Sequence, residues 1–477
     1  MKRPTNRMIS GIFLLILSSL CIVSCKKDDD WSNSPEAVLA RNQFVESLLT
    51  DTYYWNEETK SKIMSNSLTA NGTTDPFEYF AKLLYFLDPW SYLIDDMATN
   101  NEQSSGTMTT FGYALNYYWY EGDNQNRYIY ALVKFVYPGS PAEKAGLKRG
   151  DIIREINGSA IPYENYRNLF NVSSINLTVD IGRSISMNAV YMYEDPIVYQ
   201  DIIEKGGKKI GYLFYTDYLM GSLDDSYRPL RDLTDVFTRF KNESVDEVIL
   251  DLRYNSGGSS LATNFLSHLL APRTAIDNQD ILRINVWNNK YRNDTVRFTH
   301  PFTITSNNQT TEIPLTANMD LERLYVLTSN RSASASEVTI MSLMPYLEVI
   351  PIGTATRGKS FGGPKTSAGQ FQEEYKDNRY LDNWGAYILH YRFTNKDNYI
   401  FYPGGIPAQY EVTENLYATY EIGDEKDPLL AKALAVITGI EEDADDNSRS
   451  ITRNGPTMHE IKNGPDRMNN LDGKLID

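Results

Sequence analysis

Apolar residues recur at helical spacing from Trp31 to about Asn101 and alternate beyond a polar linker that ends at residue 109, and that change of period divides the chain. The runs "SPEAVLARNQFVESLLTDTYYWNEE" and "DPFEYFAKLLYFLDPW" carry the helical spacing. With Ser32 or Ser34 as the candidate cap, they predict a small helical domain over 26–101. "NEQSSGTMT" is polar and reads as a linker, and "YIYALVKFVY" beyond it alternates as half-buried strands do. From 186 to 438 strand and helix patterns take turns. "KKIGYLFYTDYL" is a strand, "DDSYRPLRDLTDVFTRFKN" an amphipathic helix, and "VDEVILDLRYNSGG" a buried strand ending in a glycine pair. "LYVLTS", "SEVTIMSLMPYL" and "EVIPIG" continue the alternation, which predicts a layered α/β core within a multidomain α+β chain. The Asn- and Thr-rich stretch at roughly 273–320 reads as a surface excursion, and the charge-biased tail 439–477, without periodicity, as mostly disordered.

One stretch inside the alternating region is more specific. In "PGSPAEKAGLKRGDIIREINGSAI" Ser140 opens a short helix with Pro141 at its first position, and Gly146 stops it. "DIIREI" then makes a strand that "NG" turns. This order resembles a PDZ domain, spanning 105–185, and "FGYAL" falls where such a domain keeps the loop for a peptide's terminal carboxylate. The resemblance implies that Phe111, Gly112, Tyr113, Ala114 and Leu115 receive an extended peptide added at a sheet edge.

Charge and composition change the picture mainly by exclusion. Against 46 Lys and Arg stand 62 Asp and Glu, a formal charge of −16, with no basic cluster in the body of the chain; nucleic acid is not the expected partner. The four histidines form no H-x-x-x-H pattern. The two cysteines, Cys21 and Cys25, lie in or at the edge of the first 25 residues, so neither a disulfide framework nor a metal site is expected, and no cofactor. Those 25 residues pair a basic start, "MKRPTNR", with the apolar "MISGIFLLILSSLCIVS", as a secretory signal does. "CIVSC" resembles the lipobox of bacterial lipoproteins, which implies export, lipidation at Cys25 and anchoring to the outer membrane. "KKDDD" after it resembles a surface-export signal, leaving the periplasmic and outer faces both open, as is the oligomeric state.

The candidate chemistry sits at "NRSASASE", residues 330–337, on a strand-to-helix corner. There, unpaired backbone N–H groups can build an oxyanion hole beside a hydroxyl. A serine needs a base, and with histidine scarce the attractive one is Lys359 in "TATRGKSFGG", just past the strand "EVIPIG"; desolvation would make such a lysine neutral. No G-x-S-x-G elbow occurs, whereas a Ser-His-Asp triad can draw its partners from anywhere. Spacing alone leaves a second reading open, in which the serines cap a helix and Lys359 is a surface residue.

"SNRSASASE" resembles the nucleophile motif of the C-terminal processing peptidases, or tail-specific proteases, and "TRGKS" resembles their lysine motif. "ILDLRYNSGG", "GYLFYTDY", "YPGGIPAQYEV" and "GDEKDPLLAKAL" follow the family's order, across roughly 35–438. The resemblance implies a serine endopeptidase acting on protein or peptide substrates. Ser334 would be the nucleophile and Lys359 the base, with N–H groups of Ala335 and of Gly257 or Gly258 as the oxyanion hole. Two departures stand out. Gly363 occupies the position where the family carries a glutamine that orients the lysine, for which Gln370 or Gln372 are the nearby substitutes. Ala408 and Gln409 replace a usual Pro-Asp. Gly363 also motivates the rival expectation of a peptide-binding protein that keeps the fold without turnover. A structural role for the tyrosine-rich N-terminal region has no motif behind it.

Overall fold

The computed structural model describes residues 34–440 and 459–461, except 67–72, 123–125, 181, 220, 222–226, 307–308, 402–403 and 415–419. The expected leader, with the lipidation at Cys25, lies outside the described residues. Among the described residues no helix is long and apolar enough to cross a membrane.

The first helices arise where the helical spacing predicts them: α1 (Pro35–Asp51), α2 (Asn56–Asn66) and α3 (Pro76–Leu83). Ser34 accepts the Ala37 N–H at 3.2 Å and Asp75 that of Phe77 at 2.9 Å, each just before a proline; such caps are worth about 1 kcal/mol apiece. The region is not purely helical, however. Strand β1 (Tyr92–Ile94) precedes α4 (Met97–Ser104) and pairs antiparallel with Gly385–Tyr387, and Phe44, Leu48, Tyr53 and Phe80 share one core with Phe361, Trp384 and Leu389. Helical spacing shows which face is apolar but not what covers it, and here the cover comes from beyond Lys359.

The PDZ-like unit comprises β2 (Thr107–Thr110), β3 (Tyr113–Glu121), β4 (Arg127–Val136), α5 (Pro141–Lys144), β5 (Ile152–Ile156), β6 (Ser159–Pro162), α6 (Tyr166–Phe170), β7 (Ser174–Val179), β8 (Arg183–Asn188) and β9 (Val190–Tyr193). Its strands run in the order β3-β4-β6-β5-β7-β8 around a core that includes Ile129, Val133, Ile153 and Leu177, while β2 pairs with β9. Ser140 caps α5, and Asn157 (φ 53) with Gly158 (φ 77) make the turn between β5 and β6. Phe111 and Gly112 lie in the turn before β3, where the Gly112 N–H donates to Thr110 Oγ1 at 3.0 Å. Tyr113, Ala114 and Leu115 belong to β3 itself.

The remaining chain forms β10 (Ile197–Lys205), β11 (Lys208–Tyr215), α7 (Arg228–Asn242), β12 (Glu247–Asp251), α8 (Ser260–Leu270), α9 (Arg273–Asp277), β13 (Ile281–Trp287), β14 (Asp294–Arg297), β15 (Phe302–Ser306), β16 (Gln309–Ile313), β17 (Arg323–Thr328), α10 (Ala335–Leu343), β18 (Glu348–Gly353), β19 (Phe361–Gly362), β20 (Lys365–Ser367), α11 (Ala368–Phe371), β21 (Gly385–Tyr387), β22 (Tyr391–Thr394), β23 (Tyr410–Glu411) and α12 (Pro428–Thr438). A six-stranded sheet, β10-β11-β12-β17-β18-β23, is parallel from β11 onward. Helices α7, α8 and α10 cover one face and α12 the other, which is why β12 and β17 read as unbroken apolar runs. The expected surface excursion contributes to the core instead: β13 pairs with β22, and Leu282, Phe298 and Phe302 are buried. Asn and Thr between the apolar positions mask this alternation in composition.

Buried charges join the PDZ-like unit to the sheet. Arg149 donates to Lys134 O and to the Tyr254 hydroxyl and pairs with Glu414; Arg253, on the other side, pairs with Asp251 and Asp427 at 2.8 Å each. A further strand, β24 (His459–Glu460), pairs with β3 in the tail expected to be mostly disordered. Its order comes from an open sheet edge, a partner no local pattern reveals.

Candidate active site

Strand β17 lies between β12 and β18, and α10 starts just beyond its carboxyl end, the side where parallel sheets bind ligands. The three alternate serines divide by environment. Ser332 and Ser336 are fully buried: Ser332 Oγ donates to Leu252 O at 2.8 Å and accepts the Ser329 N–H, and Ser336 Oγ donates to Asn255 O at 2.9 Å. Ser334 remains partly exposed at the first corner of α10, with φ 54 and ψ −113. A non-glycine residue held there costs on the order of 1–3 kcal/mol. The neighbours that hold it are therefore part of the site.

Glu337 is the principal one. Its fully buried carboxylate accepts four donors: the Ser334 N–H at 2.8 Å, the Lys359 N–H at 2.9 Å, the Gly358 N–H at 2.6 Å and the Thr356 hydroxyl at 2.6 Å. Oε2 alone takes both Ser334 and Lys359, so the two backbone nitrogens are no farther apart than the sum of those two bonds. Burial raises the carboxyl above its ordinary range, while the four hydrogen bonds oppose that. Thr356 is fixed in turn by the 404–407 turn, its hydroxyl accepting the Ile406 N–H at 2.7 Å, and Arg357 N–H binds Ser332 O at 2.9 Å. The Gln409 N–H donates to Pro351 O at 2.8 Å, so the departure at Ala408 and Gln409 falls on the frame of the site. Glu337 ends the quoted octapeptide, but only the fold reveals that it clamps both motifs.

The glycine pair comes to the same corner. A Cβ on Gly257 would stand 2.7 Å from Ser334 Cβ and 3.0 Å from Ala335 N, and Gly258 has its backbone against Tyr218 O; their φ values, 109 and 142, admit only glycine. The two candidates separate by their hydrogen bonds. The Gly257 N–H donates to Asn255 Oδ1 at 2.9 Å, whereas the N–H groups of Gly258 and Ala335 have no acceptor among the described residues.

Lys359 is partly exposed as a residue. Its amine lies 4.8 Å from the centre of the Tyr387 ring, and desolvation lowers its pKa to about 8, against the carboxylates of Asp88 and Glu337, which favour the ammonium. No motif in the sequence marks Asp88. Its buried carboxylate accepts the Tyr53 hydroxyl at 2.7 Å, the Ser91 hydroxyl at 2.5 Å, and the N–H groups of Trp90 and Ser91 at 2.9 and 3.0 Å. The pairing of β1 with β21, Tyr92 opposite Tyr387, brings this N-terminal residue to the lysine.

Position 363 has no room for the family's glutamine, because a Cβ there would lie 2.1 Å from Ile388 O. Gln370 is no substitute, as its side chain caps α11 at Ser367. The Tyr387 ring lies beside the amine instead, and the carboxylates of Asp88 and Glu337 act on it through their charge. No histidine bonds Ser334: His268 holds Asn264 O and Thr299 N–H, His300 lies against Arg273, His459 stacks on Trp119, and His390, between β21 and β22, lies beside Trp287. Burial lowers His268 and His390 to about 4. Among the described residues no cluster suited to a metal occurs.

Comparison with known proteins follows the same divisions. The model of peptidase family S41 matches residues 209–390, that of a PDZ domain 132–173, and that of the peptidase S41 N-terminal domain 40–92. A carboxyl-terminal-processing protease of Picosynechococcus is 28% identical over 25% of this chain and 30% of its own. A carboxy-terminal-processing protease of Bartonella bacilliformis is 25% identical over 48% of this chain and 49% of its own. The chain thus spans half the length, or less, of these two relatives. A solved structure from Bacteroides fragilis, assigned to the S41 proteases, is 25% identical over 83% of this chain and 97% of that one, with a TM-score of 0.67.

Proposed function

We propose that this chain, which belongs to peptidase family S41, is a serine endopeptidase working by a Ser334/Lys359 dyad, and that it is exported and lipid-anchored, as its leader ending in CIVSC suggests. The observation that carries the reading is a desolvated lysine, its pKa brought to about 8, clamped by one carboxylate to a serine in strained backbone. Neutral Lys359 takes the Ser334 proton as Oγ attacks the scissile carbonyl. The resulting oxyanion accepts the Ala335 and Gly258 N–H groups. As the tetrahedral adduct collapses, the leaving amine takes the proton from Lys359 and departs. Water, deprotonated by Lys359, then cleaves the acyl ester and frees Ser334. The β3 edge, preceded by the Phe111–Gly112 turn, presents extended or C-terminal segments of protein substrates.

The pH dependence tests the base. Only neutral lysine serves, so kcat/KM on an unfolded peptide falls about tenfold per pH unit below about 8 and is level above it. Asp88 favours the ammonium, so Asp88→Asn moves this limb to lower pH. A rate that is flat from pH 6 to 8, or a limb displaced upward in Asp88→Asn, contradicts the assignment. The anchor is tested separately. Cys25→Ala is expected to release the protein from the membrane fraction, and undiminished retention would refute lipidation there.

A further inference from the structure

Residues 459–461 occupy the edge of β3. In the antiparallel ladder His459 stands opposite Trp119 and Glu460 opposite Tyr118, and the Ile461 N–H donates to Tyr117 O at 3.0 Å. All three side chains are engaged as well. The His459 ring stacks on Trp119 with centroids 4.3 Å apart, Glu460 pairs with the Arg331 guanidinium, and Ile461 packs against the apolar cluster of Phe111, Ile129 and Tyr166. Numbering along β24 rises toward Tyr113 and the Phe111–Gly112 turn. A peptide added in this direction points its C-terminal end at that turn.

We propose that residues 459–461 are a built-in competitor for the β3 edge, and that substrates which displace them share their pattern: an acidic residue between a ring-stacking and an aliphatic one. This rests on the reading of β3 as the peptide-binding edge and names what that edge selects. Arg331 supplies the acidic preference, and its position matters, because it lies three residues before Ser334 in the turn where its own N–H donates to Ser329 Oγ at 3.1 Å. A ligand on β3 therefore touches the turn that sets the nucleophile.

The magnitudes suit a displaceable contact. Two facing residue pairs and one partly exposed ion pair each contribute at most about 1 kcal/mol. A free segment of this kind binds with a dissociation constant on the order of 1 mM. Tethered to its own chain, it faces the edge at an effective concentration also of order mM. Occupancy and vacancy are then of the same order, and a better-matched peptide can enter.

Binding of a fluorescein-labelled peptide with the sequence of residues 456–464, followed by anisotropy, tests this. Every chain carries Ser334→Ala so that nothing is cleaved. A chain ending at residue 440 is expected to bind the peptide about 2-fold more tightly than the full chain, because the tether holds an effective concentration close to the dissociation constant. Ile461→Asp in the full chain, which leaves the rest of the tail in place, should give a similar gain. Glu460→Lys in the peptide should weaken its binding to the shortened chain, and Arg331→Glu in that chain should restore it. Equal affinity of the full, shortened and Ile461→Asp chains overturns the proposal, as does binding indifferent to Glu460→Lys. Casein cleavage by the same chains with Ser334 intact reports on the dyad independently, so failure of one reading is distinct from failure of the other.

Discussion

Replacing Ser334 or Lys359 by alanine is expected to lower kcat/KM on unfolded casein by about 10⁴-fold or more, and the double substitution to cost no more than either single one. The two side chains act as a unit. Without the amine, the hydroxyl keeps its proton at neutral pH; without the hydroxyl, the amine has nothing to activate. Both variants should stay folded. Ser334→Ala leaves the Glu337 clamp intact, since Glu337 holds the backbone N–H of residue 334, and Lys359→Ala likewise keeps the N–H at 359. Full casein cleavage by either variant would remove the dyad from the account. Bound but uncleaved peptide in every form, wild type included, would favour the rival reading of a peptide-binding protein.

The second large effect is expected at a residue that touches no substrate. Glu337→Gln replaces a carboxylate that accepts four donors by a carboxamide with one acceptor oxygen and an NH2 group of its own. Whichever way the amide turns, its NH2 faces donors inside a buried site. Leaving a buried donor without its acceptor costs about 1–3 kcal/mol, and urea unfolding should show a loss of that size. Activity should fall well beyond the unfolded fraction, because the clamp also fixes Ser334 in its strained backbone and sets where Lys359 begins. Unchanged urea stability together with unchanged kcat/KM would mean that the carboxylate does not organise the site.

Much of this site is legible in the sequence because it is local. The apolar runs that become β12, β17 and β18 are buried on both faces, so they stand out as strands, and the motif-bearing corners follow directly from their ends. Serines 332 and 336 look like Ser334 on paper and differ only in what surrounds them, a difference that appears once Leu252 and Asn255 are beside them. What was illegible is long-range. Tyr387 lies beside Lys359, and the charge of Asp88 acts on it, through the pairing of β1 with β21, strands separated by nearly three hundred residues. Gly363 reads in the sequence as a missing positioning partner, whereas its backbone packs against Ile388 so closely that no side chain fits. The strand at His459 depends on an edge more than three hundred residues earlier, and the buried face of β13 on β22. Periodicity tells which side of an element is apolar, while the covering element is chosen by the closed fold.

The most direct test of the central claim is covalent labelling. The purified chain is treated with a fluorophosphonate, which phosphonylates activated serine hydroxyls, then digested and mapped by mass spectrometry across pH 6 to 9. The account predicts a single adduct, on Ser334, at a rate that climbs with the neutral fraction of Lys359 through about pH 8 and is lost in Lys359→Ala. An adduct on another serine, or labelling of Ser334 at an undiminished rate in Lys359→Ala, would contradict it.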